Sequence, residues 1–361
     1  MADILRPELM WIEGRCYRIN DSTAENTLSL QEHEVYEPEM YDIDDAEDGD
    51  TGDEDYEIES FGDSRHRTSL HVPQHYMGYL IGKKGATRSR IERDTRTEIK
   101  IPRQGQSGDV LIVGSSIGNV KAARRRINMI VMSSRMKQRP THFLSIPMTS
   151  PEIIENYNKF KEDILHELSD RGIEESVFVK PHKLHMTISV MCLMDNEERL
   201  QASKLLTEAR DTIIIPTLRE HKPLKLRLKG VSYMNDDPTS VHVLYGLVQE
   251  DNAPAGLLQK LCNDLQNHFY KGGFAEKEKG GDNVKIHVTL MNSRHRGRTD
   301  ESDNRNLGPR ESFDATRILE KYAHYDFGVA EVTDVHLSQM HTSTEQNAYY
   351  ESTCVVPCFS S

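Results

Sequence analysis

The chain has 361 residues, of which 36% are hydrophobic and 29% charged, and its formal net charge is −13 at pH 7. This length allows two or three domains, and the absence of any apolar run of membrane-spanning length predicts no contact with a bilayer. Five cysteines, together with a start that lacks the basic end and apolar run of a signal peptide, argue against a secreted disulfide framework and favour a reducing compartment.

The negative charge is concentrated in one segment. Residues 32–63 contain 16 Asp and Glu and no Lys or Arg, and such acidic, apolar-poor composition predicts disorder. Residues 65–139 contain 17 Lys and Arg against 4 Asp and Glu, which predicts a polyanionic partner. Ahead of both, residues 5–18 contain the only tryptophan, Trp11. Two interpretations of that first segment stay open, a docking peptide or a strand that packs on the body.

From residue 68 the apolar pattern predicts a compact α+β domain. Strands are predicted at residues 68–72, 97–101 and 110–113, and helices at residues 73–80, 86–95 and 116–132. The element order is therefore βααββα. The last helix contains the run Arg124-Arg125-Arg126, which either contacts a nucleic-acid backbone or forms a solvated helix face.

The turn between the first two helices is Gly82-Lys83-Lys84-Gly85. Glycines at both ends let the backbone lie against a phosphate, and the helix that follows adds its positive N-terminus. This turn, within the βααββα order, resembles that of a type I KH domain, whose GXXG loop clamps about four nucleotides of single strand. A purely structural turn between helices is the alternative. The resemblance implies that RNA is bound by Ile81, Gly82, Lys83, Lys84, Gly85 and Arg88.

A second domain is predicted after the short basic connector at residues 135–140, which lacks a Gly/Ser spacer and so favours a packed relation between the domains. Its strands are predicted at residues 142–148, 183–188, 224–233, 241–247 and 285–290, and its helices at residues 151–170, 196–218, 256–270 and 315–325. Residues 293–311 are predicted to form a long mobile loop near the site, and two final strands to end the chain. The two halves have similar element orders, which predicts a bilobal, pseudo-symmetric body.

A hexapeptide pattern occurs twice in this domain, about one hundred residues apart. Lys183-Leu184-His185-Met186-Thr187-Ile188 is matched by Lys285-Ile286-His287-Val288-Thr289-Leu290. In a strand, alternate side chains share a face, so the Lys, His and Thr of each copy point the same way. If the two faces meet, they form a site with two imidazoles and two hydroxyls. The simpler alternative is two half-buried strands that each carry an outward His and Thr.

These residue types suit cleavage of a phosphodiester. One imidazole can accept a proton while the other donates one, and threonine hydroxyls can donate to the non-bridging phosphate oxygens. Neither histidine has a carboxylate at ligand spacing, so no metal and no cofactor are expected. The near-symmetric pair leaves open which histidine is the acid and which the base. Lys183 and Lys285 either add local charge or are solvated.

The pair resembles the two-histidine (2H) phosphoesterase superfamily. His142-Phe143-Leu144-Ser145-Ile146-Pro147-Met148-Thr149 and Tyr349-Tyr350-Glu351-Ser352 are similar to the opening and closing strands of the subfamily that includes the central domain of A-kinase anchoring protein 7. The resemblance implies action on RNA ends, 2′,3′-cyclic phosphates or 2′-5′ linkages. It implies acid and base roles for His185 and His287, and phosphate contacts from Thr187 and Thr289.

Three parts are thus predicted: a docking segment and acidic tail (residues 1–64), a KH-like RNA-binding domain (residues 65–139) and a 2H phosphoesterase-like domain (residues 140–361). The fusion of these two domains is similar to that in a nuclear coactivator-complex subunit. This similarity alone implies a nuclear location, helicase and ubiquitin-binding partner subunits, and roles in transcription regulation and alkylation-damage repair. The alternative function is a non-catalytic RNA-binding scaffold whose 2H pocket only recognises a nucleotide end.

Overall fold

The computed structural model describes residues 9–12, 15–18, 57–61, 64–103, 106, 108–168, 172–275, 283–296, 310–340 and 348–359. The chain forms two compact units, Met1–Asp55 and Tyr56–Ser361. In the first unit, β1 (Leu9–Ile12) and β2 (Arg15–Arg18) pair as an antiparallel hairpin. The predicted acidic tail lies outside the described residues, except for its last part, which begins the second unit.

The first part of the second unit has the predicted KH order. Its elements are β3 (Glu59–Phe61), β4 (Arg65–Leu70), α1 (Gln74–Ile81), α2 (Ala86–Thr95), β5 (Thr97–Lys100), β6 (Val110–Gly114) and α3 (Ile117–Arg135). The four strands form one antiparallel sheet in the order β3-β4-β6-β5. Its apolar face packs under the three helices around the fully buried Tyr76, Leu80, Ile112, Val120 and Ile127.

Strand β3 corrects one prediction, because it lies at the end of the segment predicted to be disordered. Glu59 pairs with Arg67 across the β3–β4 ladder, and their side chains form an ion pair at 2.7 Å. The backbone groups along the edge of β4 gain partners from this pairing. The prediction of disorder rested on composition, which does not show that a strand able to pair with this segment, β4, begins at Arg65.

The second part of this unit contains one eight-stranded antiparallel sheet. Its strands are β7 (His142–Pro147), β8 (His185–Met191), β9 (Leu224–Tyr233), β10 (Val243–Glu250), β11 (Val288–Asn292), β12 (Asp326–Val332), β13 (Asp334–Gln339) and β14 (Ser352–Pro357). They are ordered β12-β9-β10-β11-β8-β7-β13-β14. The sheet therefore divides into two four-stranded halves that meet where β11 pairs with β8. This arrangement confirms the predicted bilobal α+β fold.

Helices cover the apolar face of the sheet. They are α4 (Pro151–Glu167), α5 (Asn196–Ala209), α6 (Ile215–Leu218), α7 (Leu257–Lys271) and α8 (Thr316–Tyr322), with a π-helical turn at Arg210–Ile214. One face of α4 is buried through Ile153, Tyr157, Phe160 and Ile164. The Tyr157 hydroxyl lies 2.8 Å from both the Val179 and the Leu290 carbonyl oxygens and shares its single proton between them. Among the described residues no helix is long and apolar enough to cross a membrane.

Several predicted boundaries are wrong. Lys183 belongs to a 3-10 turn, Pro181–Lys183, that Pro181 initiates, and residues 285–287 precede β11. The predicted final helix ends at Tyr322, and three strands follow it instead of two. Of the predicted mobile loop, Ser293–His295 is a 3-10 turn, and residues 297–309 lie outside the described residues.

The KH part and the phosphoesterase part are joined by a buried ion pair. Arg135, at the end of α3, contacts the carboxylate of Glu198 on α5 and donates to the Gly273 carbonyl oxygen. Its guanidinium also lies 5.0 Å from the Phe274 ring centroid. Glu198 is 2% exposed, and burial raises the pKa of its carboxyl while the Arg135 charge lowers it. The contacts agree with a connector that has no flexible spacer.

We expect Glu198→Ala to destabilise the folded chain strongly, because it leaves the Arg135 charge buried without its partner. Breaking a buried ion pair in this way costs about 3–5 kcal/mol, which urea denaturation followed by circular dichroism would measure. The control is Glu155→Ala, which removes an exposed ion pair with Lys159 and should leave the unfolding midpoint near that of wild type. Equal midpoints for the two variants would contradict a role of the pair in holding the domains together.

Candidate active site and nucleic-acid interface

The two His–Thr motifs meet at the junction of the two half-sheets. Met186 of β8 pairs with Val288 of β11 in antiparallel register. One residue to either side, this register sets His185 opposite Thr289 and Thr187 opposite His287. Because Leu184, Met186, Ile188, Val288 and Leu290 are buried in the core below, the two imidazoles and two hydroxyls share the other face. The structure thus brings together all four residues that the repeat predicted.

Each histidine is anchored in the same way. The Nδ1 atom of His185 lies 2.7 Å from the Lys183 carbonyl oxygen, and Nδ1 of His287 lies 2.7 Å from the Lys285 carbonyl oxygen. A carbonyl oxygen only accepts hydrogen bonds, so Nδ1 carries the proton in both rings. The Nε2 atom of each ring is therefore the one that accepts a proton from a substrate or, in the imidazolium, donates one.

The environment favours the neutral form of both rings. Burial lowers the pKa of His185 to about 4, and the charges of His287 and Lys183 act in the same direction. Burial also lowers the pKa of His287, as does the Lys285 charge. The hydrogen bonds to the backbone carbonyl oxygens oppose these effects without cancelling them. A neutral imidazole at pH 7 is ready to act as a base, whereas an acid role needs a nearby negative charge.

Aromatic rings flank both histidines. Around His185 lie the rings of Phe143 at 4.8 Å and Tyr350 at 5.3 Å between centroids, and beside His287 lies Tyr245 at 5.4 Å. Tyr245 is a site residue that the sequence did not indicate. It pairs with Thr289 across the β10–β11 ladder, and this pairing of two distant segments is what places its ring beside His287.

The two motif lysines differ. Lys183 is 3% exposed, so it is not solvated, and its Nζ lies 4.6 Å from the Tyr350 ring centroid. Lys285 is exposed, with its Nζ 5.0 Å from the Tyr245 ring centroid. Within the described part of the chain, no group of three or more His, Cys, Asp or Glu side chains could hold a metal ion.

The KH loop has a backbone that requires its glycines. Gly82 and Gly85 have φ angles of 70° and 84°, and Lys84 between them also lies in the left-handed region at 53°. A Cβ at Gly82 would overlap the Thr87 hydroxyl. Lys83 and Lys84 are exposed, so their ammonium groups can reach a phosphate backbone.

The side chains that flank this loop include one that is exposed and others that form internal bonds. Ile81 is 38% exposed, so its side chain is accessible for contact with a base. Arg88 is exposed but forms an ion pair with Glu92 at 3.4 Å. In the arginine run on α3, Arg124 donates to the Thr68 hydroxyl and to the Ser69 carbonyl oxygen. Arg124 therefore fits neither interpretation of that run, contact with a nucleic-acid backbone or a solvated helix face. Its hydrogen bonds instead connect α3 to β4.

Comparisons with known proteins agree with this architecture. Residues 140–357 match the family model described as AKAP7 2'5' RNA ligase-like domain, and residues 67–129 match that of the KH domain. Activating signal cointegrator 1 complex subunit 1 of Mus musculus is 32% identical over 352 residues, which cover 94% of this chain and 95% of the mouse protein.

Two solved structures are also similar to parts of the chain. E. coli LigT complexed with NADP+ is 16% identical, with a TM-score of 0.31, and the match covers 61% of this chain and 98% of LigT. The first KH type I domain of human vigilin is 22% identical, with a TM-score of 0.21, and the match covers 25% of this chain and 96% of that domain.

Replacing both loop lysines, as Lys83→Asp with Lys84→Asp, should weaken binding of single-stranded RNA and lower the slope of log affinity against log salt by about two at most. Fluorescence anisotropy at several salt concentrations measures both quantities. The control, Lys204→Asp with Lys271→Asp, makes the same charge change on exposed positions of α5 and α7. Equal slopes for the two double variants would contradict RNA contact by the loop lysines.

The lowered pKa of His185 predicts a dependence of stability on pH. The imidazole titrates near 6.5 in the unfolded chain and near 4 in the folded one, so between these values the unfolded chain binds the extra proton. Its contribution to stability is complete above pH 6.5 and is lost as pH falls toward 4. From pH 7 to pH 5, wild type should lose roughly 2 kcal/mol more unfolding free energy than His185→Gln.

Urea denaturation at the two pH values tests this expectation. His166→Gln, at an exposed position on α4, is the control and should lose as much stability as wild type. An identical loss in His185→Gln and wild type would show that His185 titrates normally in the folded chain.

Proposed function

The chain belongs to the AKAP7 2'5' RNA ligase-like family and contains a KH domain, and we propose that it is an RNA-binding phosphodiesterase. The observation that carries this proposal is the antiparallel register of Met186 with Val288. It sets two Nδ1-anchored imidazoles and two threonine hydroxyls on one face of the sheet. The proposed substrates are RNA phosphodiesters and 2′,3′-cyclic phosphate ends.

In the proposed reaction, one histidine removes the proton from the attacking oxygen and the other protonates the leaving oxygen. Thr187 and Thr289 donate hydrogen bonds to the non-bridging oxygens, where negative charge increases in the transition state. His185 suits the base role, because its pKa of about 4 leaves Nε2 unprotonated at neutral pH. His287 is then the acid, and the charge of the bound phosphate favours its imidazolium form.

The KH loop supplies the binding part of the proposal. Residues Gly82 to Gly85, with Ile81 and Arg88 beside them, hold single-stranded RNA through its backbone and one exposed apolar contact. Because the Arg135–Glu198 contact fixes the KH part on the phosphoesterase part, RNA held at the loop is presented to the histidines in one geometry. Binding energy from the flanking strand then positions the scissile bond.

We also propose, from the similarity to the mouse protein, that the chain is a subunit of an activating signal cointegrator complex in the nucleus. Its expected partners there are helicase and ubiquitin-binding subunits, and its expected processes are transcription coactivation and repair of alkylation damage. Purification of the tagged chain from nuclear extract should recover those subunits. Their absence, or a chain found only outside the nucleus, would contradict this role.

A non-catalytic scaffold that only recognises a nucleotide end is the second candidate. One observation favours it, since the lowered pKa values of His185 and His287 leave little imidazolium in the free protein at pH 7. A site that binds a phosphate without turning it over needs no acid. The two candidates differ in whether bound phosphate restores a proton to one ring and lets the reaction proceed.

A cleavage assay separates them. Short RNAs with 3′-5′ linkages, 2′-5′ linkages or 2′,3′-cyclic phosphate ends are incubated with the protein and EDTA, and the products are resolved by chromatography. His185→Ala with His287→Ala should lose turnover on the order of 10⁴-fold or more, because each proton transfer contributes about 10²–10⁴. His166→Ala with His324→Ala, at exposed positions, should keep full activity. Tight RNA binding without turnover of any substrate would establish the scaffold instead.

A further inference from the structure

Each histidine has a lysine of its own motif and a tyrosine from another segment as neighbours. Tyr350 packs its ring edge-on to His185, with centroids 5.3 Å apart and planes at 88°, and Lys183 Nζ lies 4.6 Å from the centroid of that tyrosine. Tyr245 packs against His287 at 5.4 Å and 70°, and Lys285 Nζ lies 5.0 Å from its centroid. Each histidine therefore has a Lys–Tyr pair beside it, although the two tyrosines come from different places in the half-sheets: Tyr245 lies on β10, next to β11, and Tyr350 precedes the edge strand β14.

We propose that Lys183–Tyr350 and Lys285–Tyr245 are equivalent positioning pairs, in which the tyrosine fixes the plane of the imidazole and the lysine ammonium adds to the burial that keeps that imidazole neutral until an anionic phosphate binds. The inference rests on the proposed function for the roles of His185 and His287. It assigns a positioning role to the two lysines and the two tyrosines, which the His–Thr repeat alone does not indicate. The lysines act through charge and the tyrosines through contact, so none of the four touches the reacting atoms.

Each imidazole ring is restrained at two places, by a hydrogen bond at Nδ1 and by a neighbouring tyrosine ring. The bond from Nδ1 to the carbonyl oxygen two residues earlier fixes one corner of each ring but allows it to tilt. An edge-on tyrosine blocks that tilt. Tyr350 is itself held by Phe143 at 4.9 Å and Tyr349 at 5.4 Å, and the Tyr349 hydroxyl is hydrogen-bonded to Ser145 Oγ at 2.9 Å. The orientation of His185 is thus tied to strand β7.

Several elements place charged or polar groups beside each imidazole ring. Lys183 faces His185 from the preceding turn, His287 faces it from β11, and the segment before β14 supplies the neutral phenols of Tyr349 and Tyr350. Lys285 faces His287 from the residues before β11, and Tyr245 faces it from β10. In each case the facing ammonium opposes protonation of the imidazole, and a bound phosphodiester would offset it. The imidazolium therefore forms when substrate is present.

The two pairs differ in burial, which predicts unequal strength. Lys183 is 3% exposed, so its charge acts through protein rather than water and is weakly screened. Lys285 is exposed, so solvent screens its effect on His287. The inference therefore predicts that His185 responds more strongly to loss of its lysine than His287 does.

The test is an NMR titration of the two imidazoles in the full chain labelled with ¹³C-histidine, without substrate. Signals are assigned with His185→Gln and His287→Gln. Lys183→Met removes the ammonium and keeps the length of the side chain, and it should raise the pKa of His185 by about half a unit or more. Lys285→Met should raise the pKa of His287 by less. The matched control is Lys180→Met, at an exposed position three residues before Lys183, and it should change neither pKa.

A second comparison separates the tyrosine from the lysine. Tyr350→Phe keeps the ring that holds the ammonium and should leave the pKa of His185 near its wild-type value, whereas Tyr350→Leu should raise it. An unchanged pKa in Lys183→Met, or an equal change in Lys180→Met, would overturn the proposal. The titration is read on the free protein, so a protein that lacks turnover but shows these pKa changes would refute the proposed catalysis and leave the positioning pairs supported.

Discussion

The pairing of β8 with β11 is the constraint on which the site depends. The side-chain period of a strand is two, so a slip of one residue in either strand would turn its His and Thr into the core. What prevents the slip is burial, since the residues between the motif positions are apolar and fully buried on the helix-covered face. Tyr157 adds a directional element, because its hydroxyl donates to the Leu290 carbonyl oxygen within β11. Packing of the apolar face against the helices therefore fixes the register that brings the polar side chains of β8 and β11 together.

The same junction explains why the histidines have low pKa values. Joining two half-sheets places both motifs near the middle of an eight-stranded sheet, away from the edges where solvent would stabilise an imidazolium. Burial then outweighs the hydrogen bonds to the Lys183 and Lys285 carbonyl oxygens. In the proposed function a bound phosphate changes this balance, because its negative charge favours the imidazolium that burial disfavours in the free protein.

The local features of this arrangement could be predicted from the sequence. Alternation around His185 and His287 predicted which face each side chain takes, and glycine spacing with helix periodicity predicted the KH order. The contacts it could not predict are those made between distant segments. Tyr350, just before the edge strand β14, contacts His185, and Tyr245 lies beside His287 only because β10 pairs with β11. Lys183 was expected in a strand and lies in a turn, where burial under Tyr350 depends on the folded chain.

The two halves are alike in their chemistry and unlike in their surroundings. Both rings have the same anchor and a Lys–Tyr neighbour pair, but the tyrosines come from different strands: Tyr245 lies on β10 and Tyr350 precedes β14. On the β8 side, Phe143 and Tyr349 add to the enclosure of His185, whereas Tyr245 is the aromatic ring that contacts His287 in the described part of the chain. A proton-transfer reaction needs one base and one acid, and two equivalent imidazoles would compete for each role. In the proposed reaction the unequal enclosure removes that equivalence, because the ring that is costlier to protonate stays neutral and free to accept a proton, while its partner carries the proton of the acid.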